Sequence, residues 1–199
     1  MPRPRTHDDA LRARLLTEAG REVSEHGASA LSLRTVARAA GTSTTAVYSL
    51  FGGKAELLEA VFDEAFRRFG EHLGAVAATD DPRGDLVAMA HAYRASAHAD
   101  PHFYAVMFGV PGLGIAPSDA SLGAAVGTFA PLVDLVRRGI DAGVLRDEDP
   151  VRIATALWST VHGFTSLELA GMLPGGPGED ETFEAGARAA VDGWAPRAP

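Results

Sequence analysis

The chain has 199 residues, 46% of them hydrophobic and 22% charged, which is enough to bury a sizeable core in one or two domains. It contains no cysteine, no signal-peptide pattern and no run of 18 apolar residues, so we expect a cytoplasmic protein without disulfides, thiolate metal sites or a membrane span. The net charge of −8 is uneven, because residues 1–54 carry eight basic and five acidic side chains (+3), whereas residues 55–199 carry ten and 21 (−11).

The N-terminal segment begins with two predicted helices. Asp8 or Asp9 can cap the first, in which apolar residues recur every four positions until Gly27 ends it. Ser32 can cap a second, short helix with the sequence LRTVARAA, which ends at Gly41. These patterns predict a long helix followed by a short one.

The next stretch, TSTTAVYSLF, favours a β-strand by residue propensity alone. No partner strand is visible in the sequence, and a lone strand would leave its backbone groups unpaired. A two-turn helix capped by Ser43 avoids that cost, and tertiary context commonly overrides propensity. We therefore predict a third helix, with its apolar residues inward: Ala46, Val47, Leu50 and Phe51.

Six further helices complete the predicted chain. They are a fourth from Lys54 to about residue 73, then 82–98, a short helix starting at Asp100 and Pro101, about 119–142 interrupted or kinked at Pro131, about 150–171, and a ninth carrying Phe183 and Trp194. The predicted fold class is all-α with nine helices. We expect an N-terminal domain over 1–53 and a C-terminal domain over 54–199, connected by the fourth helix.

The second and third helices, joined at a glycine, form a helix-turn-helix motif, LRTVARAAGTSTTAVYSLF. The second helix of such a motif can lie in a DNA major groove. Its outward hydroxyl groups can reach base edges or phosphates: Thr44, Thr45, Tyr48 and Ser49. Arg34 and Lys54 flank this helix and supply electrostatic attraction.

This part of the chain resembles the TetR family of transcriptional regulators. The resemblance covers residues 10 to about 63 and rests on the strings AAGTS, VYSLF, GK and ELLEAVF. It implies that Tyr48 and Lys54 bind phosphates. The predicted DNA-binding residues are Arg34, Ser43, Thr44, Thr45, Tyr48, Ser49 and Lys54. Arg3 and Arg5 are either an arm along the DNA or simply solubilising.

The acidic body resembles the TetR subgroup with a Trp-His-Gly signature, through Trp158, His162 and Gly163 in LWSTVHGFTSLELAG. The resemblance implies a ligand pocket and a dimer interface. Trp158 and His162 lie one turn apart and form either a pocket wall or part of the core. The candidate pocket residues are His91, Phe103, Tyr104, Met107, Phe108, Phe129, Trp158 and His162.

A stripe of small residues on the eighth helix would let another helix approach closely. Together with the ninth helix, it gives these candidate dimer-interface residues: Ala156, Ser159, Gly163, Ser166, Phe183, Ala187, Val191 and Trp194. His98 and His102 have the spacing of a metal pair, but Pro101 starts a new helix between them. We therefore expect no metal and no cofactor.

These observations predict a homodimeric repressor that binds a pseudo-palindromic operator and responds to a small molecule. Two alternatives from the same fold are an activator that lacks a small-molecule ligand and a helical interaction protein without DNA binding. An enzyme built on His162 and Glu168 is disfavoured, because residues six apart point to different sides of a helix. Ser43 and Ser49 lack the Gly-x-Ser-x-Gly context of a nucleophile.

Overall fold

A computed structural model of the chain describes residues 5–109, 114–174 and 178–196, with side chains described from residue 8 onward. The helices are α1 (Arg5–His26), the 3₁₀ helix η1 (Ala28–Ala30), α2 (Leu33–Ala39), α3 (Thr44–Phe51), α4 (Lys54–Gly74), α5 (Pro82–Ala99), α6 (Pro101–Phe108), α7 (Asp119–Gly127), α8 (Ala130–Asp141), α9 (Pro150–Leu169) and α10 (Glu179–Asp192). The described residues contain no strand, and the all-α prediction is confirmed. The suggested arm residue Arg3 and the side chain of Arg5 lie outside the described part.

The predicted seventh helix is interrupted, as its proline indicated. It consists of α7 and α8, separated by turn residues Thr128 and Phe129. Pro131 lies in the first turn of α8. A proline fits there because the first backbone N–H groups of a helix have no partner within it, whereas in the helix interior its ring would clash.

The chain packs as two compact units. Unit 1 comprises residues 1–68 and 100–125, and unit 2 comprises residues 69–99 and 126–199. The boundary between the units therefore falls within α4, between Arg68 and Phe69. This division follows packing alone. The domain boundary that the sequence predicts, after residue 53, separates DNA binding from ligand binding and dimerisation, and it stays a prediction.

The core of unit 1 contains the apolar faces of α1, α2, α3, α4 and α6. The fully buried side chains include Leu15, Leu16, Val23, Val36, Val47, Leu57 and Val61. Val47, the centre of α3, is 0% exposed, so the short helix is held by its apolar face against its neighbours. Burial of this face explains why TSTTAVYSLF is a helix in spite of its strand propensity.

Helix α6 is held in unit 1 by close contacts with α1 and α4. A Cβ atom added to Gly20 would lie 2.9 Å from Cε1 of Phe103, so the glycine lets the ring approach the α1 backbone. The guanidinium of Arg68 lies 4.5 Å from the centre of the Phe103 ring and donates a hydrogen bond to Asp100 at 3.2 Å. Asp100 occupies the N-cap position of α6, but its side chain makes no capping bond.

Unit 2 is a bundle in which α5, α8, α9 and α10 pack against one another. Its most buried side chains include Leu86, Tyr93, Val136, Ile153, Leu157, Phe183 and Val191. Within α5, α9 and α10 these positions lie seven, four and eight residues apart, which places them on one buried face of each helix.

One segment of the described chain, Asp119–Asp141, is apolar and long enough to cross a membrane by length and composition. An 18-residue window of this segment has a mean hydropathy of 1.3, and 22% of that window is buried. The segment is nevertheless divided into α7, with nine residues, and α8, with 12 residues. Neither helix reaches the roughly 20 residues that a bilayer requires.

Candidate functional site

The helix-turn-helix is built by two serine caps and a glycine turn. Ser32 accepts a hydrogen bond from the backbone N–H of Thr35, and Ser43 accepts one from that of Ala46 at 3.3 Å. The predicted cap at Ser43 is therefore present. Gly41 has a φ of +68°, a left-handed conformation that residues with a Cβ rarely adopt. The turn thus requires glycine between α2 and α3.

The outward face of α3 carries the predicted hydroxyl groups. Tyr48 is 56% exposed although it is a large aromatic residue. Thr45 and Ser49 are also exposed, and Thr44 is half-buried. The structure therefore brings these four side chains together on one short helix, with the hydrogen-bonding groups that contact bases and phosphates in nucleic-acid complexes.

Two predicted basic residues flank this face. Arg34 is exposed near the start of α2. Lys54 begins α4, and its Nζ donates a hydrogen bond to the carbonyl of Ser29 at 2.8 Å. An ammonium group has three donors, so this bond fixes Lys54 in place and leaves capacity for a phosphate oxygen. Gly52, with a φ of +95°, ends α3 and lets α4 begin two residues later.

Sequence reasoning missed a groove between α1 and the turn of the motif. It has a volume of about 500 Å³. Its lining residues are Asp8, Leu11, Arg14, Gly41, Thr42, Ser43 and Ala46. Arg14 is exposed and brings a positive charge beside the start of α3. The signal available in the sequence was the net positive charge of residues 1–54, which did not distinguish Arg14 from the other arginines.

In unit 2, the predicted Trp158 and His162 are part of a polar and aromatic cluster. The Tyr93 hydroxyl lies 2.8 Å from Nδ1 of His162, and the Ser166 hydroxyl lies 3.4 Å from its Nε2. The Trp158 ring lies 5.7 Å from the His162 ring and 5.8 Å from that of Phe129. Burial lowers the pKa of His162 below its usual value, which favours the neutral imidazole. Sequence reasoning did not include Tyr93 in this cluster.

The eight candidate pocket residues are divided between the units. Phe103, Tyr104, Met107 and Phe108 belong to unit 1, and His91, Phe129, Trp158 and His162 belong to unit 2. Phe103 and Tyr104 are buried within unit 1, with 3% and 7% of their surface exposed. A pocket lined by all eight residues stays a prediction.

The candidate dimer residues also differ in their surroundings. Phe183, Ala187 and Val191 form the buried face of α10 within unit 2. Ser159 is exposed, and a Cβ added to Gly163 would meet no atom within 4 Å. The Trp194 ring stacks under the guanidinium of Arg146 at 4.2 Å. The open side of α9 could accept a partner helix, and the dimer interface stays a prediction.

Glu168 pairs with Arg94 and His98 of α5. Arg94 donates hydrogen bonds to both carboxylate oxygens, the bond from Nε being 2.9 Å long, and Nε2 of His98 lies 2.9 Å from the carboxylate. Hydrogen bonding from Arg94 is the main cause that lowers the pKa of Glu168 to about 2. His162 instead faces Tyr93, so the residues of the disfavoured enzyme hypothesis contact different partners.

A helix-turn-helix packed among other helices, together with a second helical unit, is the architecture of a class of DNA-binding regulators. Comparisons with known proteins place the chain in the same class. Residues 15–61 match the family model described as bacterial regulatory proteins, tetR family, and residues 86–190 match the tetracyclin repressor-like C-terminal domain. The HTH-type transcriptional regulator Mb1846 of Mycobacterium bovis is 28% identical, over 82% of each chain.

Solved structures of other proteins are similar as well. A protein of unknown function from Rhodococcus sp. RHA1 is 31% identical with a TM-score of 0.78, over 94% of this chain and 96% of that one. A TetR family transcription regulator from Marinobacter aquaeolei VT8 has the same fold, with a TM-score of 0.79 at 23% identity, over 98% and 100% of the two chains. The chain therefore belongs to the tetR family of bacterial regulatory proteins and is a DNA-binding transcriptional regulator.

Proposed function

We propose that the protein is a homodimeric repressor that binds a pseudo-palindromic operator and releases it when a small molecule binds. The observation that carries the DNA-binding part is the outward face of α3, where Tyr48 is 56% exposed among hydroxyl side chains. In a helix-turn-helix, the second helix (here α3) is the recognition helix, which lies in the major groove. Contact with DNA there would explain why a large aromatic residue is exposed on α3. Such contact takes place in the cytoplasm and requires no enzymatic activity.

Charge supports the same proposal. Arg14 and Arg34 are exposed, and Lys54 is fixed beside α3 by its bond to Ser29. We propose that Arg14, Lys54 and Tyr48 contact phosphates, while Arg34, Thr44, Thr45 and Ser49 contact bases. Ser43 holds the start of α3 and can still donate its hydroxyl proton.

A dimer would place two recognition helices in successive major grooves, about 34–36 Å apart along the DNA. All eight candidate dimer-interface residues belong to unit 2, and α4 is continuous from Lys54 through the boundary between the units. Effector binding would favour a dimer in which the spacing of the recognition helices no longer fits the operator. Such coupling is typically about 1–3 kcal/mol and is reciprocal, so operator DNA should weaken effector binding by the same factor.

Two substitutions test the DNA-binding residues. Lys54→Ala and Tyr48→Ala should each weaken operator binding roughly tenfold, because each removes a phosphate contact. Lys54→Ala should also lower the slope of log affinity against log salt by about 1. Fluorescence anisotropy with labelled operator DNA measures both quantities, and sedimentation checks that the dimer persists.

Arg21→Ala is the matched control. Arg21 is a basic residue of unit 1 whose guanidinium pairs with Glu18 at 3.0 Å and Glu25 at 3.3 Å within α1. Its removal changes the net charge as much as Lys54→Ala does. If Arg21→Ala and Lys54→Ala reduce operator affinity equally, binding depends on overall charge and the assignment of the α3 face is wrong.

A further inference from the structure

One face of α9 combines aromatic, imidazole and hydroxyl side chains. Trp158, His162, Thr165 and Leu169 follow one another at intervals of four, three and four residues, which places them on one stripe of the helix. Trp158 and His162 are half-buried, and Thr165 is 0% exposed. The stripe therefore extends from a partly open end to a fully buried hydroxyl group.

Rings from the rest of unit 2 continue this stripe into a row. The Phe129 ring lies 5.8 Å from Trp158, and Trp158 lies 5.7 Å from His162. The row continues from His162 to Tyr93 at 6.4 Å and from Tyr93 to Phe69 at 5.2 Å. Three of these four contacts are edge-to-face, an arrangement that aromatic rings prefer, and the Trp158–His162 contact is tilted. Tyr93 and Phe69 are buried, so another flat molecule can reach the half-buried rings of this row, Trp158 and His162 among them.

The side chains of the row carry no formal charge at neutral pH. Burial lowers the pKa of His162, and its Nδ1 lies 2.8 Å from the Tyr93 hydroxyl. The carboxylate of Glu168, further along α9, is already bound by Arg94. An ionised ligand would lose its hydration here without gaining an opposite charge from the row. An uncharged ligand avoids this cost.

Thr165 differs from the other hydroxyl residues of α9. Thr155, Ser159 and Thr160 each donate a hydrogen bond to the carbonyl one turn earlier, at 2.7, 2.7 and 3.0 Å. The Thr165 hydroxyl is fully buried and has no hydrogen-bond partner among the described residues. A buried donor without a partner is costly and rare in folded proteins. The Thr165 hydroxyl therefore keeps a donor for which the described residues provide no acceptor.

We propose that this stripe binds the effector, and that the effector is a small uncharged aromatic molecule with an oxygen that accepts a hydrogen bond from Thr165. Its ring would stack against Trp158 and enter past the half-buried His162. The proposal rests on the proposed function, because it names the chemical class of the effector. The effector would carry a single carbonyl or ether oxygen at the ring and no ionised group.

Calorimetric titration of the full-length protein with three probes tests this class. Acetophenone has the ring and the acceptor, ethylbenzene has the ring without the acceptor, and benzoate adds a negative charge. We expect acetophenone to bind more tightly than either of the others. Thr165→Val should weaken acetophenone binding roughly tenfold and leave ethylbenzene binding unchanged, because valine is similar in size but has no hydroxyl.

Thr160→Val is the matched control, since it removes a hydroxyl of the same helix that is exposed and already bonded to Ala156. It should leave the preference for acetophenone unchanged. The melting temperature of each variant shows that it is folded, and Thr165→Val should not lower it. The proposal is overturned if benzoate or ethylbenzene binds as tightly as acetophenone. It is also overturned if the ratio of the acetophenone and ethylbenzene affinities is the same in Thr165→Val as in the wild type.

A gel-shift assay separates this inference from the proposed function. If acetophenone binds through Thr165 but operator DNA remains bound, the ligand site is supported and release by an effector is contradicted. If a different compound releases the operator equally from the wild type and from Thr165→Val, the repressor proposal is supported and the assignment of this site is wrong.

Discussion

A buried ion pair of unit 2 joins two residues that are 74 positions apart, Arg94 of α5 and Glu168 of α9. Both are well buried, with 14% and 9% of their side chains exposed, and Arg94 also lies 4.9 Å from the ring of Phe183. A carboxylate in this position requires its partner, because an unpaired buried charge is far more costly than a paired one. The pair therefore helps to fix α5 against α9.

Acid should weaken this contribution in a defined range of pH. The folded-state pKa of Glu168 is about 2, below the value of about 4.3 in an unfolded chain. The pair therefore stabilises the fold fully above the unfolded pKa and loses its contribution as the pH falls towards 2. Glu168→Gln should lower the free energy of unfolding by on the order of 2 kcal/mol at pH 7. Denaturant titrations should show this difference shrinking between pH 5 and pH 2.

Glu148→Gln serves as the control for that measurement. Glu148 pairs with Arg152 at 3.4 Å on the surface of the chain, where ion pairs contribute little. Its substitution should change the free energy of unfolding by less than about 0.5 kcal/mol. A Glu168→Gln variant that is as stable as Glu148→Gln at pH 7 would contradict the role of the buried pair.

At the scale of elements, the sequence predicted where the helices lie better than it predicted which helices pack together. Apolar spacing, Ser32 and Ser43 as caps, and Gly41 as a turn are local signals, and each is present in the structure. The packing of α6 against α1 is not local, since the contact between Ser24 and His102 joins residues 78 positions apart. No spacing in the sequence discloses such a contact, because it depends on how the whole unit packs.

The close approach of α6 to α1 makes Gly20 a sensitive position. A methyl group there would lie 2.9 Å from the Phe103 ring, which is 3% exposed and covered by Arg68 and therefore has little room to move. Gly20→Ala should destabilise the protein by about 1–3 kcal/mol through overpacking, in spite of the better helix propensity of alanine. Thermal and denaturant unfolding would measure the change.

Gly123→Ala is the corresponding control in α7. A Cβ at Gly123 would meet no atom within 4 Å, so only helix propensity should change. This variant should be more stable by about 0.5–1 kcal/mol. If Gly20→Ala gives the same gain, the packing of Phe103 against the α1 backbone is looser than the structure indicates.

At the scale of the whole molecule, charge is distributed unevenly along the chain. Residues 1–54 are net positive and the remainder is strongly negative, so attraction to DNA is concentrated where α3 lies. The sequence disclosed this asymmetry, and through the helix-turn-helix it also disclosed most of the candidate site. Arg14 and Thr165 were not predicted, because a groove and an unpaired buried hydroxyl exist only after folding.

Dimerisation can be tested at Gly163 without disturbing the chain itself. The space beside this glycine is open, so Gly163→Leu should leave the folded unit intact. If another chain packs its helix closely there, leucine should weaken the dimer at least tenfold. Sedimentation equilibrium would measure the dissociation constant, with Ala88→Leu on the exposed side of α5 as the control. An unchanged dimer in Gly163→Leu would exclude close helix approach at this position.

The measurement that tests the central claim most directly is a gel-shift titration of the purified protein, across a series of salt concentrations, on the DNA immediately upstream of its own gene. We predict a specific complex whose affinity falls steeply as salt rises, because basic side chains around α3 displace counterions from the phosphates. Tyr48→Ala should bind the same DNA less tightly at every salt concentration. If low salt gives no complex with this DNA, and selection from random sequences also recovers no site, the claim that α3 binds DNA in this protein is contradicted.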